Sequence, residues 1–302
     1  MKREMYNKLL IWKNNSNKKP LIIYGARQVG KTYLINEFGK DNYEYVYYIN
    51  FEFDVKAKKL FEGNLDIKTL LFQLSSYNTN IPIIEGKTLI FFDEAQKCPQ
   101  VLTALKSFAI DNRFDVIVSG SMLGIIMHEV SSFPVGYVEK LHMRPMSFKE
   151  FLWANNYSEE MIDGFKEYFD KELPVPSLIH DKLNELFLHY VVGGGMPEAV
   201  KTYVDTSNLY NVLEVQRRIL DDYKDDIAKY STKMMKEKVR ECFESIPDQL
   251  AKDNKKFQIS KPAHFTKTNL KQLQRMIFSV NGVFSFSTLP TSPSSVPQSL
   301  RI

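Results

Sequence analysis

One octapeptide constrains this chain more than any other feature: Gly25-Ala26-Arg27-Gln28-Val29-Gly30-Lys31-Thr32, set between an apolar run at residues 21–24 and a helical stretch starting at Lys31. Its glycines let the backbone turn tightly, and its successive N–H groups form a concave anion nest. A helix starting near Gly30 points the positive end of its dipole at the same place. The chain therefore asks for strand, anion-holding turn and helix in that order. A glycine-containing strand-to-helix turn without a ligand is the plainer alternative, and the strand and helix flanks weigh against it.

Further short apolar runs at residues 45–51, 88–92, 116–118 and 137–141 are rich in Ile, Tyr, Phe and Val. Continuous apolarity predicts strands buried on both faces, as in a parallel sheet covered by helices. Residues 31–38, 67–74 and 101–109 read as the intervening helices, and the alternation defines an α/β fold. A short amphipathic helix with Met5, Leu9, Leu10 and Trp12 precedes the first strand. After about residue 145 helices take over. Ser147-Phe148-Lys149-Glu150 has capping-box spacing, and helices are expected over 181–192 and 209–230, separated by Gly193-Gly194-Gly195-Met196-Pro197. On the last helix, Asp221, Asp222, Asp225 and Asp226 share a face. Pairing of Arg217 with Asp221, Arg218 with Asp222 and Asp225 with Lys229 predicts a solvated, salt-bridged surface there rather than a metal site.

The chemistry follows from side chains at strand ends. Lys31 would reach the β and γ phosphates of a nucleotide and the Thr32 hydroxyl would hold Mg²⁺, in a cradle running from Gly25 through Ala26, Arg27, Gln28, Val29 and Gly30 to Tyr33. Leu89-Ile90-Phe91-Phe92-Asp93-Glu94 is an apolar strand ending in two acids. Asp93 would ligate Mg²⁺ through water, and Glu94 would polarise an attacking water as general base. A solvated loop or a helix N-cap is the other reading of that pair. The next strand ends in Ser119-Gly120-Ser121, whose hydroxyls would meet the γ-phosphate or the water, although Ser-Gly-Ser is also turn chemistry. Glu94, Lys31, Ser119 and Ser121 are accordingly the candidate catalytic residues. His128, His142, His180, His189 and His264 show no metal-ligand spacing, and Cys98 and Cys242 form no CxxC or Cys/His pattern, which predicts a reducing compartment and no structural zinc.

Taken together, these segments resemble the AAA-type P-loop ATPases of bacteria and archaea in which the nucleotide domain is followed by a helical region and a C-terminal domain of unknown function. The likeness is carried by Lys19-Pro20-Leu21-Ile22-Ile23-Tyr24 leading into Gly25–Thr32, and by Phe92-Asp93-Glu94-Ala95-Gln96 and Ser119-Gly120-Ser121. It continues through Phe133-Pro134-Val135-Gly136, Arg144-Pro145-Met146-Ser147-Phe148 with Glu150-Phe151, Gly194-Gly195-Met196-Pro197-Glu198-Ala199, and Ile246-Pro247-Asp248-Gln249-Leu250. The resemblance implies a sheet in which an extra strand, here 116–118, lies between the glycine-loop strand and the Asp-Glu strand, with an α-helical lid behind it. It also implies ATP rather than GTP, consistent with the lack of a recognisable NKxD motif. No arginine finger is assigned by it: Arg113, Arg144, Arg217 and Arg218 are all candidates. The motifs stop at about residue 258.

The expected organisation is an ATPase domain at 1–145 with its N-terminal helix, a helical lid at 146–258 and a truncated or poorly structured tail at 259–302, where 11 of the last 18 residues are Ser, Thr or Pro. No apolar run approaches the roughly 18 residues that span a bilayer, and only residues 9–12 follow the basic N-terminus, so a cytoplasmic protein without membrane attachment is expected. The net charge of +4 is concentrated late. The stretch 252–275 has seven basic residues and one acidic, which reads as a solvated face first and a weak DNA contact second. Three functions remain open at this level: an Mg²⁺-dependent ATPase switching an unknown protein or nucleic-acid partner, with homo-oligomerisation as a further expectation; a P-loop phosphotransferase; or a nucleotide-gated binding module with slow hydrolysis. Glu94 directly after Asp93 favours the ATPase over the kinase, because a kinase must exclude activated water.

Overall fold

Alternation of buried apolar strands with amphipathic helices produces one layered α/β unit continuing into a helical region. A computed structural model describes residues 1–121, 123, 133–230, 237, 240–241 and 243–250. The expected tail at 259–302 and the basic stretch at 252–275 lie outside the described residues.

Helix α1 (Glu4–Asn14) buries Met5, Leu9 and Trp12, spaced to share one helical face. It is followed by β1 (Leu21–Tyr24), α2 (Lys31–Asn42), β2 (Tyr45–Asn50), α3 (Ile67–Tyr77), β3 (Thr88–Asp93), α4 (Gln100–Asp111), β4 (Asp115–Gly120) and β5 (Glu139–His142). The strands form a sheet of order β2-β3-β4-β1-β5. All four ladders are parallel. Strand β4 therefore lies between β1 and β3, as the resemblance implied. The register sets Ile22 opposite Val118 and Ile90 opposite Val116, so the C-terminal ends of β1, β3 and β4 open on one edge of the sheet.

Side-chain alternation divides the core. Leu21, Ile23, Leu89, Phe91 and Ile117 pack on the face carrying α1 and α2. Ile22, Ile90, Phe92, Val116 and Val118 pack on the face carrying α3 and α4, where Phe51, Phe61, Phe92 and Phe108 interlock edge to face and tilted. Burial on both faces holds for β3 throughout. It does not hold for the outer strands: β2 buries Tyr47 and Ile49 but exposes Tyr48, and β5 is half-buried. As the outermost strands of the sheet, β2 and β5 each have a neighbour on one side only.

Helices α5 (Phe148–Ala154), α6 (Glu159–Asp170), α7 (Ser177–Gly193), α8 (Pro197–Thr206), α9 (Leu209–Tyr230) and the short α10 (Ile246–Leu250) make up the helical region. The expected capping box is present: Glu150 N donates to Ser147 Oγ at 3.2 Å and Ser147 N to Glu150 Oε2 at 2.9 Å. At the α7–α8 junction Gly195 lies against the backbone of Met146, whose N–H donates to the Gly195 carbonyl at 2.6 Å. A Cβ at Gly195 would stand 2.1 Å from the Met146 carbonyl oxygen, so a side chain is excluded there.

The helical region is joined to the N-terminal segment by a buried ion pair. Arg3 Nε lies 3.0 Å from Glu150 Oε1, with both side chains almost wholly buried. The remaining guanidinium nitrogens donate to the carbonyls of Val29 at 2.9 Å and Arg144 at 2.7 Å. Glu150 Oε1 also accepts the N–H of Glu4 at 2.7 Å. A buried pair stabilises only when its remaining hydrogen-bonding capacity is met, as it is here. Arg3→Ala would leave the Glu150 carboxylate buried without its cation, and an urea titration is expected to show a loss of about 3–5 kcal/mol.

Candidate functional site

The sheet edge where β1, β3 and β4 end gathers most of the residues singled out from the sequence. After β1 the chain turns through residues 25–30 into α2, with Gln28 at φ 61° and Gly30 at φ 90°, the left-handed conformation that Gly30 adopts without strain. At Gly25 a Cβ would lie 2.1 Å from the Met143 carbonyl oxygen just beyond β5, so the turn is pressed against the neighbouring strand's continuation. Lys31, buried at the first position of α2, donates from Nζ to the carbonyls of Gly25 at 2.9 Å and Ala26 at 2.7 Å. Burial lowers its ammonium to about 8, against the opposing pull of Glu94 and Asp93.

Asp93, 1% exposed at the end of β3, is the centre of a converging set of donors. Its Oδ2 accepts from Thr32 Oγ1 at 2.7 Å, Tyr48 OH at 3.2 Å and Asn50 Nδ2 at 3.4 Å. Its Oδ1 accepts from the hydroxyl of Ser119, buried on β4, and from the N–H of Glu94 at 2.9 Å. Residues far apart in sequence, Thr32 and Asp93, are thus in direct contact. The Ser119 hydroxyl is engaged with Asp93 itself.

Glu94 adopts φ 52°, left-handed for a residue with a side chain, at the turn before a 3₁₀ segment (Ala95–Lys97). Burial, and next the Asp93 charge, raise its carboxyl above the ordinary range, while Lys31, a hydrogen bond from Gln96 and Arg27 act the other way. Gln96 Nε2 donates to Glu94 Oε2 and reaches Ser121 Oγ at 3.4 Å. At the outer side of the turn, Tyr24 at the end of β1 stacks on His142 of β5 at 4.9 Å.

Helix α9 closes over the turn, which the sequence reading did not anticipate. Asp226 pairs with Arg27 at 2.5 Å, Gln28 Nε2 donates to Asp222 Oδ2 at 2.8 Å, and the buried Tyr223 donates its hydroxyl to the Arg27 carbonyl at 3.0 Å. The expected i,i+4 ladder is corrected accordingly. Arg218 pairs with Glu198 of α8, Asp221 meets Lys224 at 3.7 Å, and Asp222 and Asp226 reach across to Gln28 and Arg27 of the turn. Of these contacts only the Arg27–Asp226 pair is partly shielded from water; the Arg218–Glu198 and Gln28–Asp222 contacts are exposed. The Lys229 side chain lies outside the described residues, and so does the expected Asp225 pair. Among the other arginines, Arg113 is held by Asp111 and Arg217 is exposed. No group of three or more His, Cys, Asp or Glu side chains among the described residues could hold a metal ion.

Sequence reasoning missed Tyr48, Asn50, Arg3 and the contribution of α9. Asn50 had a readable signal, a polar residue closing an apolar strand beside the Asp-Glu strand. Arg3 and the α9 acids had none, since their partners are remote in sequence. The chemical fit to a nucleotide is good: a left-handed glycine turn at a helix N-terminus, a buried lysine within it, and hard oxygen ligands from Thr32 and Asp93 of the kind Mg²⁺ takes.

Residues 17–152 match the family of AAA domains, and residues 184–295 match a family described as a domain of unknown function. The second match runs past residue 258, so the likeness extends beyond the motifs that first carried it. The chain is 29% identical to an uncharacterized protein of Methanocaldococcus jannaschii over 72% of its length and 44% of the relative's. It is 23% identical to an uncharacterized protein of Haemophilus influenzae over 52% of its length and 40% of the relative's. It thus spans less than half the length of these curated relatives. Among solved structures it is similar to the Aeropyrum pernix ORC1 protein in complex with DNA, with 12% identity, 93% of this chain and 82% of that chain covered, and a TM-score of 0.40.

The close approach at Gly25 gives a direct check on the turn. Gly25→Ala is expected to cost roughly 1–3 kcal/mol, the range for forcing extra atoms into a packed site, read as a lowered midpoint in thermal unfolding.

Proposed function

We propose, from the premise that residues 17–152 belong to the AAA domain family, that this chain binds ATP with Mg²⁺ and hydrolyses it, and that hydrolysis alters how the helical region sits on the glycine turn. The observation that carries the reading is the 2.7 Å contact between Thr32 Oγ1 and Asp93 Oδ2, with the Lys31 ammonium lodged in the adjoining turn. These residues come from separate elements, and their convergence on one sheet edge has no packing explanation: each is polar and two are deeply buried. Burying such groups is costly unless hydrogen bonds or a ligand offset it.

In this reading the backbone N–H groups of residues 25–32 hold the phosphates, and Lys31 exchanges its carbonyl partners for the β and γ phosphate oxygens. Thr32 and Asp93 hold Mg²⁺, which when bound neutralises the charge developing on the phosphates. Glu94 takes a proton from water as the water oxygen bonds to the γ-phosphorus and the bond to the β–γ bridging oxygen breaks, leaving ADP and phosphate. Ser119 keeps the Asp93 carboxylate in place, and Ser121 reaches the same region through Gln96. Asp222, Tyr223 and Asp226 of α9 touch residues 27 and 28, so any movement of the turn is passed to the helical region. A protein or nucleic-acid partner attached there would be the target of the switch.

Two substitutions test the assignment. Lys31→Ala should lose ATP affinity by at least tenfold in calorimetric titration while unfolding at a similar temperature; unchanged affinity would reject the cradle. Glu94→Gln should still bind ATP and Mg²⁺ but release phosphate at least a hundredfold more slowly, the usual scale of general-base catalysis.

A further inference from the structure

Gln96 lies two residues after Glu94, and the proposed chemistry gives it no role of its own beyond its contact with Ser121. Its amide nitrogen donates to Glu94 Oε2 and points on to Ser121 Oγ at 3.4 Å, while its carbonyl oxygen is buried and meets no donor among the described residues. The amide is accommodated by Gly120: a Cβ there would lie 2.1 Å from Gln96 Oε1 and 2.8 Å from Leu123 Cγ. The glycine between Ser119 and Ser121 therefore clears the end of β4 for the Gln96 side chain.

We infer that Gln96 is a positioning residue for the reaction, acting through Glu94: its amide, seated over Gly120, fixes the carboxylate that activates water. Three observations meet in this assignment. Glu94 occupies a left-handed backbone conformation, which sets where its side chain starts but leaves its torsions free. The amide supplies a donor to one of the two carboxylate oxygens, leaving the other to receive the proton. The space for that amide exists only because residue 120 lacks a side chain. A free carboxylate samples several rotamers, and a base displaced by about 1 Å from its productive position loses on the order of 100-fold in rate. Holding Glu94 in one rotamer thus acts on kcat, while the hydrogen bonds that seat Lys31 in the phosphate cradle are made to the Gly25 and Ala26 carbonyls and not to Gln96.

This inference rests on Glu94 being the base, and the experiment separates the two. Steady-state phosphate release from Mg-ATP, ATP affinity by calorimetry and the unfolding midpoint are measured for the full chain, Glu94→Gln, Gln96→Met, Gln96→Glu and Gly120→Ala. Gln96→Met keeps the shape and removes the donor; it is expected to lower kcat roughly 10- to 100-fold, the value of a hydrogen bond to a charged group, with KM, ATP affinity and midpoint near those of the parent. Gln96→Glu, also of matching shape, should be at least as slow because it sets a second carboxylate against Glu94. Gly120→Ala should slow turnover by displacing the amide. In the Glu94→Gln background Gln96→Met should add little, since a residue acting through Glu94 has nothing left to hold. A parent-like kcat for Gln96→Met, with Glu94→Gln inactive, would overturn the positioning role alone. A parent-like rate for Glu94→Gln would overturn the base and this inference with it.

Discussion

The carboxylate of Asp93 is the point on which the rest of the arrangement depends. A buried anion is expensive unless each of its oxygens is satisfied, and here the donors come from α2, from two positions of β2, from β4 and from the residue that follows. That requirement ties the positions of α2, β2, β3 and β4 to one another at this point. Thr32 can reach Asp93 because β4 separates β1 from β3 by one strand spacing on each side and all three run parallel. Charge satisfaction and sheet topology thus set the same geometry, and the site is the place where they coincide.

A second set of polar ties joins the helical region to that edge. Arg3 reaches the carbonyl of Val29 in the turn, the carbonyl of Arg144 beyond β5, and Glu150 at the start of α5. On the other side, α9 contributes Asp222, Tyr223 and Asp226 to Gln28 and Arg27. The two sets differ in character. The Arg3 pair is almost dry, so it resists rearrangement, whereas the α9 contacts are partly exposed and are each worth little on their own. The turn is thus anchored by a dry ion pair on one side and by more exposed contacts on the other.

Glycines mark where backbones must come close. Gly25 meets the Met143 carbonyl, Gly195 meets Met146, and Gly120 leaves room for Gln96. The glycine-rich junction between α7 and α8 is therefore a contact surface as well as a helix break. Pro197, which opens α8, stands 3.8 Å from where a Cβ on Gly30 would be, so the late motif sits directly on the glycine turn.

Local sequence determined a good deal. The strands 21–24 and 88–92, the helix Leu209–Tyr230, the capping box at Ser147 and the identity of Lys31, Thr32, Asp93, Glu94 and Ser119 as neighbours of one site were all legible, because apolar periodicity, cap spacing and the glycine turn are properties of a few consecutive residues. Tertiary structure alone decided what those residues touch. Burial of β2 on both faces was expected and is not found, since the edge position of a strand is a fact about the whole sheet. Asp222 and Asp226 were expected to pair along their own helix and instead meet Gln28 and Arg27, nearly two hundred positions away. Arg3 gave no local sign of its partners for the same reason: a hydrogen bond between remote residues leaves no period in the sequence, and only the folded chain brings its two ends together.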